Sequence, residues 1–229
     1  MNRKENEQIV RNFFERGRPE NTALIAKFVD DADAVMQEAA AIFDAMIPDM
    51  AYLDSPDKPM ATSVFGCGVW FAVYQALRQR GVDVHDVGRE MLAALAEGPA
   101  PEMADADDGR TRQERFADFI AGGEESQRNE VPGEFVFEAY VGKADDVDWG
   151  MNVTSCAICS MASKYDAMEL VPYMCATDDV MSDRDNQGLR RTGSIAVGAH
   201  HCDFEYKQGG APKGLAEQYP ERIRLVQED

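Results

Sequence analysis

Along the N-terminal part of the chain, apolar side chains return every three to four residues, the period of an amphipathic helix. Residues 4–16 carry one such stripe, and Leu24, Phe28, Val35, Ala39, Ile42, Phe43 and Met46 carry another across residues 21–47. This spacing predicts two helices joined at Gly17-Arg18-Pro19-Glu20, the second capped by Asn21 or Thr22 and stopped by Pro48. Residues 51–59 hold two prolines and an Asp-Ser pair and read as a loop. The run from Met60 to Arg80 is apolar almost throughout, and Gly81 closes it. Gln75 and the Arg78-Gln79-Arg80 ending make it a buried core helix, not a membrane span. A further helix covers Val84 to Ala96 and is stopped by Gly98.

Residues 98–109 are acidic and without periodicity, a surface loop, and residues 111–123 form a short amphipathic helix. The period then changes. Residues 134–142 alternate and are rich in Phe, Tyr and Val, which predicts a strand, with residues 149–155 as its hairpin partner across the Asp-rich turn 143–148. Helical spacing returns after Cys156 to about Tyr165, and again from Met168 to Ser182. Residues 189–198 and 200–207 read as two more strands, and the weakly periodic tail as either a last short helix or a frayed end. The expected architecture is α+β: a helical N-terminal half packed on a small antiparallel sheet, with two helices inserted between strand pairs. A helical region, residues 1–98, and an α+β cysteine-rich region, residues 109–229, are expected to form one compact unit.

Charge narrows the partners. With 42 acidic and 23 basic residues the 229-residue chain carries a formal charge of -19, which repels nucleic acid and anionic lipid, since both are bound chiefly through Lys and Arg. The N-terminal residues have no apolar core of the length a secretory signal needs, so a cytoplasmic location is expected. Five cysteines, an odd number and unevenly placed, argue for thiols, metal ligands or a nucleophile and against a disulfide framework.

Four of those five, Cys156, Cys159, Cys175 and Cys202, fall between Asn152 and Tyr206. Cys67 stands apart on an apolar helix and reads as a small core residue. Cys175 and Asp178 are three apart on an expected helix and so share a face. Cys202 lies on an expected strand, on the side of His200 and Phe204 and opposite His201 and Asp203. Two chemistries follow. A thiolate can attack an electrophilic carbon while Asp178 or a histidine moves protons. Alternatively, Cys156, Cys175 and Cys202 can hold zinc, either structurally or with an activated water. No cofactor, or zinc, is therefore expected.

At these residues the chain resembles the L-2-amino-thiazoline-4-carboxylic acid hydrolase family of bacterial proteins. The resemblance rests on Asn-Val-Thr-Ser-Cys156-Ala-Ile-Cys159, on Cys175-Ala-Thr-Asp178-Asp, and on Leu189 to Tyr206, which includes Arg191, Gly198, Cys202, Asp203 and Phe204. It implies a hydrolase that opens a small cyclic amidine, isothiourea or related ring at a non-peptide C-N or C-S bond. In the namesake reaction, water adds at the amidine-like C2 of a thiazoline to give an N-carbamoyl-cysteine. The C-terminal pattern also resembles, more distantly, the 4-vinyl-reductase-type ligand-binding domain, where spaced Cys and acidic residues bind zinc beside a small-molecule pocket.

Within this reading Cys175 is the expected nucleophile, Asp178 the proton shuttle, and His201 or His200 the activator of water. Arg191 is the expected carboxylate clamp, because a guanidinium grips that group through two parallel hydrogen bonds, and Asn152 and Phe204 complete the substrate contacts. The partner is a small-molecule substrate, with self-association into a homo-oligomer left open. The alternative is a non-catalytic small-molecule-binding or sensor module with a structural cysteine-rich zinc site; the chain shows no basic DNA-binding helix that would give it an output.

Overall fold

The computed structural model describes residues 2–58, 60–97, 112–142 and 146–225. The expected acidic loop at 98–109, the first half of the turn at 143–148 and the last four residues lie outside the described residues. The fold is α+β, and the chain divides into two compact units, Met1–Glu90 with Ala157–Val171, and Met91–Cys156 with Pro172–Asp229. Among the described residues no helix is long and apolar enough to cross a membrane.

In the first unit, α1 (Arg3–Arg16) opens on a capping box in which Asn2 Oδ1 accepts from the Glu5 N-H and Glu5 returns a bond to the Asn2 N-H. The expected helix over 21–47 is two helices, α2 (Arg18–Ile25) and α3 (Ala32–Met46). Asn21 is not a cap: it sits inside α2 and its Nδ2 bonds back to the Gly17 carbonyl at 2.8 Å. The break falls before Asp31, whose carbonyl accepts from Ala34 and Val35 and starts α3. The apolar run forms α4 (Ala61–Arg78), buried along most of its length. Gly68 packs closely there: an added Cβ would stand 2.7 Å from Met50 Cε and 3.2 Å from Phe43, so those side chains would have to shift. The helix α5 (Val84–Glu97) begins in this unit and runs into the second, and α7 (Ala157–Lys164) returns to pack on α4.

The second unit is built on four antiparallel strands in the order β1-β2-β4-β3: β1 (Val136–Val141), β2 (Trp149–Ser155), β3 (Leu189–Arg190) and β4 (Cys202–Tyr206). In the chain, α7 and α8 (Val171–Arg184) fall between β2 and β3. The register, with side chains alternating between faces, puts Phe137, Val153 and Cys202 in one row and Ala139, Met151 and Phe204 in the next, all on one apolar face. The opposite face carries Glu138, Asn152 and Asp203, then Tyr140, Gly150 and Glu205. The helix α6 (Arg112–Arg128) covers one end of the apolar face through Phe119 on Phe137, 5.0 Å between centroids, and Phe116 against Trp149, which stacks on Tyr206 at 4.1 Å. A second apolar cluster joins Leu92, Tyr173, Ala176, Leu215 and Ile223, where the single-turn helix α9 (Leu215–Gln218) docks.

The expected strand over 189–198 pairs only at Leu189 and Arg190. Beyond them, the Thr192 and Gly193 N-H groups bond the Asp203 carboxylate, and the chain turns into a short 3-10 segment, Ile195–Val197. A side chain has taken the donors that a ladder would have used.

Candidate active site

The helix α8 begins with Val171 and Pro172, and a proline in the first turn costs no hydrogen bond there. Cys175 and Asp178, one turn apart, face the residue that follows β3. That residue is Arg191. Its Nη1 donates to the Cys175 carbonyl at 3.1 Å and to Asp178 Oδ2 at 3.2 Å, and its Nε donates to the Asp203 carbonyl at 3.0 Å. Its guanidinium lies 3.9 Å from the centre of the Phe204 ring, a cation-π contact. Arg191 thus ties α8, β3 and β4 together while its side chain has 0% exposure.

The segment from Arg191 to Ile195 wraps the start of β4. Asp203 accepts from Thr192 Oγ1 at 2.6 Å, from the Thr192 N-H and from the Gly193 N-H. Burial opposes its charge, but these donors hold its carboxyl below the usual carboxylate range. The Ile195 N-H donates to Cys202 Sγ at 3.3 Å. Two buried polar atoms in this segment, Arg191 Nη2 and Ser194 Oγ, have no hydrogen-bond partner. Such atoms are costly to leave unpaired.

Burial pushes the Asp178 carboxyl up to about 6, against the pull of Arg191 and with help from neighbouring Asp179. Yet 37% of the Asp178 side chain remains accessible, so the carboxyl is crowded on most sides and still reachable from solvent. Burial also pushes the Cys175 thiol far up; Arg191 opposes this, while Cys202, Cys156 and Asp178 add to it. For Cys202, burial raises the thiol to about 11, with the Ile195 N-H and Arg191 pulling it down. The Cys175 and Cys202 thiols and the Asp178 carboxyl therefore lie within electrostatic reach of one another and of Arg191, and Cys156 within reach of both thiols. Arg191 itself stays charged: burial disfavours its cation but is outweighed by Asp178 and the thiols.

The sequence model of the L-2-amino-thiazoline-4-carboxylic acid hydrolase family matches residues 62–206, more than half of the 229-residue chain. The chain belongs to that family. No curated protein and no solved structure matches it.

In this family member the expected site residues divide. Cys175, Cys202, Asp178 and Arg191 come together in the second unit, with Cys156 within electrostatic reach of the two thiols. Phe204 is there too, 8% exposed and beneath the guanidinium of Arg191. Asn152 is in register with Glu138 and Asp203, on the face opposite Cys202 and Phe204. His200 and His201 are both exposed. β4 begins only at Cys202, so strand alternation does not extend back to carry either imidazole inward. Arg191 is not a free clamp, since Nε and Nη1 are committed and Nη2 alone lacks a partner.

Among the described residues no group of three His, Cys, Asp or Glu side chains is arranged to hold a metal ion. The Cys175 thiol also has the Arg191 guanidinium beside it, a poor neighbour for a dication. On another side of α8, Ala176, Asp179 and Val180 line a 170 Å³ recess with Leu189 and Gly214, and none of its lining residues is a cysteine. The parts invisible to sequence reasoning were the Ile195 N-H, Ser194 and the role of Asp203. The Thr192-Gly193 pair ten residues before an Asp was the available signal, since short side chains leave adjacent N-H groups open to a carboxylate.

Proposed function

We propose that this protein hydrolyses a small cyclic amidine or isothiourea, as the family name indicates, by attack of a thiol from the cluster around Arg191. The observation that carries the reading is the Arg191–Asp178 pair. A carboxyl poised at about 6 beside buried thiols changes its protonation near neutral pH, as a general acid-base group must. Asp178 takes the thiol proton and returns it to the departing ring atom. Arg191 positions α8 and β4 and keeps positive charge beside the sulfur atoms, where negative charge develops as the thiol gives up its proton. The exposed histidines have no part in this scheme.

The test is a panel of 2-aminothiazolines, thiohydantoins, cyclic ureas and lactams, with products read by mass, on the wild type beside Asp178→Asn. Ring opening appears as the gain of one water by a cyclic amidine or isothiourea, strongly reduced in the variant. A folded wild type that opens no ring in the panel would sink the proposal.

A further inference from the structure

We infer that Cys202 is the nucleophile of this site, with the Ile195 N-H as the fixed donor to its sulfur; the inference rests on the hydrolase reading above. Cys175 is the more obvious choice by spacing, and it is the more exposed of the two. Its main-chain carbonyl, however, is what Arg191 holds. Cys202 has its sulfur itself engaged, by a backbone donor at 3.3 Å. A hydrogen bond to sulfur favours the charged form, and a backbone donor is already aligned before reaction.

The surroundings of Cys202 are fixed from two directions. It is the first residue of β4, paired with Val153 on one side, and the Asp203-bound segment Arg191 to Ile195 lies against it on the other. Two of the six unpartnered buried polar atoms among the described residues, Arg191 Nη2 and Ser194 Oγ, lie in that segment, and Arg191 is 1% exposed and Ser194 0%. Both can donate, and the neutral tetrahedral adduct formed on Cys202 carries nitrogen lone pairs able to accept, which the amidinium itself lacks. Burial raises both thiols, and raises that of Cys202 less, with the Ile195 N-H foremost among the groups that pull it down.

The steps balance with one water. Asp178 takes the Cys202 proton as sulfur forms a bond to the amidinium carbon, giving a neutral tetrahedral adduct. The bond from that carbon to the ring sulfur breaks, and the leaving sulfur takes the proton held by Asp178, which leaves an S-linked isothiouronium on Cys202. Water adds its oxygen to the carbon as the bond to Cys202 breaks. One of its protons returns to the Cys202 sulfur, and the extra proton of the amidinium leaves with the urea product.

Two measurements on the full chain test this. Wild-type protein is treated with 2-chloroacetamidine, a small cationic amidine electrophile, and the modified residues are mapped by mass over time. Turnover of 2-aminothiazoline-4-carboxylate is compared for Cys202→Ser, Cys202→Ala and Cys175→Ser. Cys202 is expected to be labelled before Cys175, and both Cys202 variants to lose about a thousandfold or more in turnover, against about tenfold or less for Cys175→Ser. Earlier labelling of Cys175, as exposure alone predicts, or loss of turnover confined to Cys175→Ser, overturns the assignment and leaves the hydrolase reading intact. If the wild type opens no ring, the hydrolase reading falls, and the labelling order still decides whether Cys202 is the reactive thiol.

Discussion

Arg191 lies over the Phe204 ring with its guanidinium carbon 3.9 Å from the ring centre, and its side chain has 0% exposure. One side chain therefore bonds to α8 and to β4 while its charge rests on an aromatic face. Lysine has neither the planar fork nor the stacking surface to replace it. Arg191→Lys is expected to destabilise the protein by about 3 kcal/mol or more, because it strands a buried pair. Phe204→Leu should cost about 1–2 kcal/mol through the lost cation-π contact and some lost packing. Urea unfolding of the two variants checks the order, and an Arg191→Lys protein as stable as wild type would contradict it.

Asp203 gives a pH-dependent prediction. Its carboxyl is held below the usual value, so the folded state binds fewer protons than the unfolded state between the two pKa values, and its stabilisation is present above ~3.9 and lost as pH falls through the folded value. Asp203→Asn should therefore lower stability by about 1–3 kcal/mol at pH 7, with the gap to wild type closing in acid. Thermal melts across pH 3 to 7 (about the window set by these pKa values) read this directly. A gap that widens toward acid would refute the role given to Asp203.

The pKa of Asp178 is raised, to about 6, and its active form is the carboxylate that accepts the thiol proton. kcat/KM for ring opening is expected to rise with pH through about 6 and then level. Asp178→Asn should remove that limb along with most of the rate. A wild-type profile flat from pH 5 to 7 (about one unit either side of the expected transition) would exclude Asp178 from proton transfer.

Gly150 sits beneath the Tyr140 side chain, and an added Cβ would stand 2.5 Å from Tyr140 and 2.7 Å from the Phe204 carbonyl oxygen. Gly150→Ala is expected to cost about 1–3 kcal/mol. Tyr140→Ala should rescue only part of that loss, because the backbone carbonyl cannot withdraw. Full rescue in the double variant would mean that the strand gives way more easily than this contact implies.

His200→Ala and His201→Ala, separately and together, should leave stability within about 0.5 kcal/mol, as for exposed substitutions remote from packing. Turnover measured beside Asp178→Asn tests their absence from the chemistry. A loss matching that of Asp178→Asn would return an imidazole to the mechanism.

The sequence by itself determined the element types, because helical and alternating periods are local properties. The apolar run of α4, the β1-β2 hairpin and the helices between β2 and β3 all follow from spacing. It also singled out Cys175, Asp178, Arg191 and Cys202 as candidates, since they stand out by chemistry alone. Their roles were a different matter. Whether Arg191 grips a substrate or holds the fold together depends on which carbonyls and carboxylates three other elements bring to it. The short β3 and the turn after it depend on Asp203, ten residues on, capturing the Thr192 and Gly193 N-H groups. The fate of His200 and Asn152 turned on where β4 begins and which face of β2 is inward, and the tertiary structure decided both, because burial and desolvation are set by neighbours distant along the chain.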